Sequence, residues 1–195
     1  MQSLLYKLQY LSHKKQSFSI ILLDPHGDLA ERVFAFRLNL LKPQRVVYID
    51  SAREKDNIPC INPFWKKVSN PTMMDLLSQQ RAKTFAELIP EAGMSLQMET
   101  LLKPCLAVLF SRGGCGLSDL QDFMNDSTNQ KRVELGKKAK HPIYRSFFTS
   151  AFENKKYSAT KLAIYTRLQH LQNNYSFYMM MNGQSDFDLK KEMQK

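Results

Sequence analysis

Apolar residues recur at helical spacing from Ser3 to Leu11, where Leu4, Leu5, Leu8 and Leu11 line one face before the polar run Ser12-His13-Lys14-Lys15-Gln16. A short unbroken apolar run, Ser19 to Leu23, predicts a buried strand that delivers Asp24 to its end. Beyond Pro25-His26-Gly27, Asp28 and Glu31 stand three apart ahead of Val33 and Phe34, the arrangement of a capping box. A helix is therefore expected from Asp28 to about Leu41. Pro43 breaks it, and Arg45 to Ile49 reads as a second strand ending in Asp50. Two nearly continuous apolar strands joined by a helix indicate a parallel βαβ unit covered on both faces.

The pattern changes after Asn62-Pro63-Phe64-Trp65. From Thr72 onward helical periodicity takes over, and no strand is expected. Helices are predicted at about Thr72–Leu88, Leu96–Phe110 (bent near Pro104 and ended by Gly113-Gly114), Ser118 to Asn125 with Gln121 completing a capping box, and Gln130–Ala139. Two more follow, Ile143–Phe152 behind a first-turn Pro142 and Ser158–Asn173, with Leu162, Tyr165, Leu168 and Leu171 on the expected inner face of the latter. The final DFDLKKEMQK has no evident packing partner. Two strands do not make a stable sheet, so both ends of the sequence are expected to be cuts through a larger domain.

A length of 195 residues suffices for one or two cores, and 43% hydrophobic with 11% aromatic residues is globular composition. A net charge of +10 favours polyanionic partners, nucleic acid or anionic lipid. Cys60, Cys105 and Cys115 match no zinc spacing and no disulfide framework, and His13, His26, His141 and His170 are scattered, so no metal site is expected. No run reaches the roughly 18 apolar residues of a membrane span, and no secretory signal opens the chain.

Asp24 is the first candidate for chemistry, because a carboxylate at a strand end lies where open α/β sheets bind ligands. The alternative is a tight Asp-Pro-His-Gly turn chosen for backbone geometry. A phosphate loop, G-x-x-x-x-G-K-[ST], is absent: at the only Gly-Lys pair, Gly136-Lys137, Lys131 stands for the first glycine and Lys138 for the hydroxyl residue. The second candidate is charge. Lys131, Arg132, Lys137, Lys138, Lys140, Arg145, Lys155, Lys156 and Lys161 face only Glu134 and Glu153, so nine cations against two acids give this stretch +7. Tyr144, Phe147, Phe148, Phe152 and Tyr157 are interleaved. Exposed, such rings would stack on bases while the cations met phosphates; placed in the core, they would only pack, which is the expectation for Phe147, Phe148 and Phe152. Met179, Met180 and Met181 are either an adaptable contact surface or helix-end packing.

Leu23-Asp24-Pro25-His26-Gly27-Asp28-Leu29, set between these elements, resembles the D-P-x-G-[DE] segment of the TraD/TraG-like coupling proteins of conjugation and type IV secretion. That family belongs to the FtsK–HerA class of hexameric DNA-pumping ATPases. The resemblance implies an α/β fold, an incomplete RecA-like P-loop NTPase core of two parallel strands carrying a large all-α inserted domain, mostly helical overall. It divides the chain into a partial core over residues 1–66, without its phosphate loop, and an all-α domain with the start of the return to the core over 67–195. Asp24, His26, Gly27 and Asp28 are then neighbours of a nucleotide site, ATP and magnesium belong to the intact relative, and the basic stretch becomes the DNA or partner contact. Relaxosome or secretion-channel proteins, a homo-hexamer and the cytoplasmic face of the bacterial inner membrane are implied in the same way. On this reading the chain lacks its own ATPase activity and membrane contact. A non-catalytic helical adaptor that binds DNA or a partner protein and a piece of a general DNA translocase are the other two function classes the residues allow.

Overall fold

The computed structural model describes residues 3, 6–7, 19–40, 46–50, 58–88, 95–185 and 187–193. The chain is mostly helical. It forms two compact units, one of residues 1–57 with 187–195 and one of residues 58–186. The division falls at 57/58, nine residues before the 66/67 expected, because Asn62 to Trp65 pack into the helical unit, as the hydrogen bonds below show.

In the first unit α1 (Asp28–Leu40) matches the expected helix. Among the described residues, however, neither expected strand is paired into a sheet. Ser19, Ile21 and Leu23 are exposed while Ile20, Leu22 and Asp24 are half-buried, a strand-like alternation with only one covered face. Leu23 is 87% exposed. An unbroken apolar run signals readiness to enter a sheet, but a ladder needs a neighbouring strand to pair with, and the described residues supply none. Phe34 stacks on Tyr48 with centroids 4.5 Å apart, and Ser19 Oγ donates to the Met193 carbonyl at 3.0 Å, beside the short helix α9 (Leu189–Met193). Most of the expected first helix, and Arg45 of the second strand, lie outside the described residues.

The second unit contains α2 (Pro71–Leu88), α3 (Ser95–Arg112), α4 (Leu117–Phe123), α5 (Gln130–Lys137), α6 (Pro142–Ser150), a 3-10 turn at Lys155–Tyr157, α7 (Ser158–Gln172) and α8 (Tyr175–Asn182). Helix α3 is its axis. Met98, Leu101, Leu102, Cys105, Leu106, Leu109 and Phe110 are all buried, and a helix apolar on nearly every side belongs inside a bundle. Burying each large side chain contributes about 1.5–3 kcal/mol. On α7 the inner stripe is Lys161, Ile164, Leu168 and Gln172, one turn apart each time, whereas Leu162, expected inside, is 65% exposed. The helix is rotated from the position its leucines predict because Lys161 lies against the Phe152 ring, 3.9 Å from its centroid, and pairs with Asp126 at 2.6 Å.

Candidate functional site

The turn after Leu23 is built by Asp24 itself. Its Oδ2 accepts the N–H groups of Leu29 and Ala30, both at 2.9 Å, and its Oδ1 accepts that of His26 at 3.2 Å. Gly27 adopts φ +85°, a region open to glycine, and its carbonyl accepts the Glu31 N–H at 2.9 Å. Asp24, not Asp28, is therefore the cap of α1, four residues upstream of the first helical residue. The Ala30 N–H, helped by those of His26, Leu29 and Gly27, holds the Asp24 carboxyl below its ordinary range although partial desolvation opposes this. A carboxylate offers about four acceptor positions, and three are taken by backbone. His26, Gly27 and Asp28 stand in this same turn, and the His26 amide donates to the Asp24 carboxylate. Among the described residues no group of three metal-ligating side chains exists. No described helix is long and apolar enough to cross a membrane.

The basic stretch divides cleanly in three dimensions. Arg132 pairs with Asp119 at 2.7 Å and Asp122 at 2.8 Å, Lys137 with Glu134 at 2.7 Å, and Lys161, 3% exposed, with Asp126. These three cations are neutralised. Asp119, Asp122 and Asp126 lie just upstream of the stretch, so a charge count confined to residues 131–161 overstates the free charge. That signal was in the sequence but needed the fold to connect it. Lys131, Lys138, Lys140, Arg145, Lys155 and Lys156 are exposed and form no ion pair among the described residues; Lys156 lies over the Tyr157 ring at 5.0 Å. The interleaved rings are inside. Phe123, Phe147, Phe148 and Phe152 pack edge-on or tilted with centroids 5.2–6.1 Å apart, while Tyr144 and Tyr157 are buried. Phe147 is half-buried; the other rings cannot stack on a base without unfolding the unit. Beside the cations the surface exposes Glu134, Glu153, Leu135 and Ile143.

No family model, no curated protein and no solved structure matches this sequence. The chain's own geometry therefore carries the functional argument.

Two further features are legible only in the fold. Asn62, 4% exposed, donates to the carbonyls of Cys115 at 2.7 Å and Gly183 at 3.0 Å and accepts the Phe64 N–H at 2.9 Å. With Ile61 N–H donating to the Met180 carbonyl at 2.9 Å, it pins the entry and exit of the helical unit side by side. Close termini are the usual geometry of a unit inserted into another domain. The α4 start is capped not by the Ser118–Gln121 pair but locally by Asp119, whose Oδ2 accepts the Gly116 N–H at 2.8 Å, and from 64 residues away by Asn182, whose Oδ1 accepts the Ser118 N–H at 2.8 Å. The second feature joins α6 to the α2–α3 pair: Tyr144 donates to Asp75 at 2.5 Å, and Lys103 pairs with the same oxygen at 3.1 Å. Of the three methionines, Met181 packs against the core and Met179 is exposed.

Proposed function

We propose that the chain is a DNA-contacting, non-hydrolysing part of a TraD/TraG-like coupling ATPase, in which the helical unit meets the phosphate backbone during conjugative or type IV secretion transfer. The observation that carries the DNA contact is the set of six exposed cations without ion partners among the described residues, Lys131, Lys138, Lys140, Arg145, Lys155 and Lys156, in a stretch whose aromatic rings, the half-buried Phe147 apart, are buried. Cations meet phosphates whatever the sequence of bases, whereas reading or stacking on bases needs groups this stretch keeps buried. Binding is accordingly to the backbone, indifferent to sequence and steeply salt-dependent. The coupling-protein context rests on the Leu23–Leu29 segment followed by an all-helical unit with paired ends. A finished RecA-like core, ATP, magnesium, the hexamer, relaxosome or channel partners and the cytoplasmic face of the membrane belong to that context as expectations.

If all six cations met phosphates of a duplex, log K would fall against log salt with a slope of about −5, roughly a thousandfold between 50 and 200 mM. Titration of the full chain with a 20-base-pair duplex and a single strand tests this; absent or salt-indifferent binding refutes the DNA contact. The helical unit's self-contained core also supports the adaptor reading, in which the unit binds DNA or a partner protein without catalysis; salt-indifferent capture of a relaxosome protein would favour its partner-binding form. Genomic DNA that encodes no phosphate loop before Met1 and no apolar strand after Lys195 would remove the coupling-ATPase context. Neighbouring genes for DNA repair rather than relaxase and pilus assembly would move the context to a general translocase.

A further inference from the structure

One member of the basic stretch faces inward to two acids. The Arg132 side chain is 17% exposed; its Nη2 meets both Asp119 Oδ1 and Asp122 Oδ2 on α4, while its buried Nε has no hydrogen-bond partner among the described residues. Asp119 is itself fixed, its second oxygen accepting the Gly116 N–H at 2.8 Å. Helix α4 is in turn tied to the rest of the unit by the Asn182 cap and by Gln121, which accepts from Gln172 at 2.6 Å and donates to Gln169 at 2.8 Å. Helix α5 has only eight residues, far too few to persist alone. Three attachments hold it: Val133 buried in the core, Gly136 against the Phe148 ring, and the Arg132 pairing with α4. Its outward side carries Lys131, and Lys138 follows directly after its last residue; both belong to the six exposed cations.

We infer that Arg132 is a positioning residue for this cationic face. It ties α5 to α4 and so sets where Lys131 and Lys138 stand, while making no phosphate contact itself. The inference rests on the DNA-contact reading above. It makes a prediction of opposite sign to simple electrostatics. Removing the Asp122 carboxylate raises the net charge by one, which by charge alone strengthens DNA binding; if Arg132 works by holding α5, the same change loosens the helix and weakens binding.

The test measures duplex binding by the full chain between 50 and 200 mM salt, together with amide hydrogen exchange across residues 130–138, for Asp122→Asn, Arg132→Lys, Arg132→Gln and Lys131→Gln. Lys131→Gln should lower the salt slope by about 1, equivalent to about eightfold in affinity at 0.1 M, with exchange unchanged. Arg132→Gln should cost more than that and speed exchange over 130–138. Arg132→Lys, which keeps the charge but not the reach and planar shape of the guanidinium, should fall between it and the parent. Asp122→Asn should weaken binding about threefold despite its added charge. Tighter binding by Asp122→Asn, or Arg132→Gln behaving as Lys131→Gln does with normal exchange, overturns the inference. If the parent does not bind DNA, the functional proposal fails on its own. Exchange then decides the inference alone: faster exchange over 130–138 in Arg132→Gln and Asp122→Asn supports the α4–α5 tie, and unchanged exchange overturns it.

Discussion

Gly136 presents a substitution whose sign separates local propensity from packing. At an open helical position, replacing glycine by alanine stabilises by about 0.5–1 kcal/mol, because alanine restricts the unfolded chain more and suits the helix better. Here a β-carbon would stand 2.3–2.6 Å from Cδ2, Cγ and Cε2 of Phe148, well inside van der Waals contact. That ring cannot swing aside: it is 1% exposed and wedged among Phe123, Phe147 and Phe152, at 5.8, 5.6 and 5.2 Å between centroids. Relief requires α5 and α6 to separate by about an ångström, an overpacking cost of about 3 kcal/mol. Net of the propensity gain, Gly136→Ala should destabilise by about 2 kcal/mol, lowering Tm by about 4–8 °C for a chain of this size. Urea and thermal unfolding followed by circular dichroism measure it. In a Phe148→Leu background, where the ring is gone, the alanine should cost much less than in the parent. A Gly136→Ala chain as stable as the parent, or a cost unaltered by Phe148→Leu, would refute the close contact between α5 and α6.

Asn62→Ala leaves two carbonyls and the Phe64 N–H without their partner and should lower stability by about 2–4 kcal/mol, seen as a fall in the urea midpoint at constant m-value. Lys161→Gln, which empties a buried site paired with Asp126, should lower Tm yet leave the salt slope of DNA binding unchanged in the fraction still folded, while Lys155→Gln should do the reverse. Both Asp24, held low chiefly by the Ala30 N–H, and Asp75, held low chiefly by the Tyr144 hydroxyl, have folded pKa values below their ordinary 3.8. Their contribution is complete above that pH and lost as pH falls through the lowered values, so Asp24→Asn and Asp75→Asn should flatten the acid limb of a stability–pH profile. Tyr144 is raised above 10.0 by burial and by Asp75, so its contribution declines as pH climbs past 10, and Tyr144→Phe should remove that alkaline decline.

Much of the helical architecture was readable along the chain. The predicted spans for α1 to α7 differ from the observed ones by only a few residues, because Pro71, Pro142, Gly113-Gly114 and the leucine spacing act locally and leave their marks within a few positions. The turn at Asp24 was readable as a turn, and its resemblance to a nucleotide-site segment was readable as well; that the carboxylate is spent on α1 depends on which amides come within reach after the chain bends. The two strands were read from apolar content. A helix satisfies its own backbone, so its pattern is sufficient evidence for it; a strand must borrow hydrogen bonds from neighbours, and content alone cannot supply them. Likewise the charge of residues 131–161 was plain, but not its division into three neutralised and six free cations, since Asp119, Asp122 and Asp126 reach their partners only across packed helices. Thus local order, charge and the burial of the phenylalanines follow from the sequence, whose signals act over one or two turns. Capping by Asn182, the Asn62 clasp, the rotation of α7 around Lys161 and the identity of the free cations come from contacts between residues up to 121 positions apart, which only tertiary packing brings together.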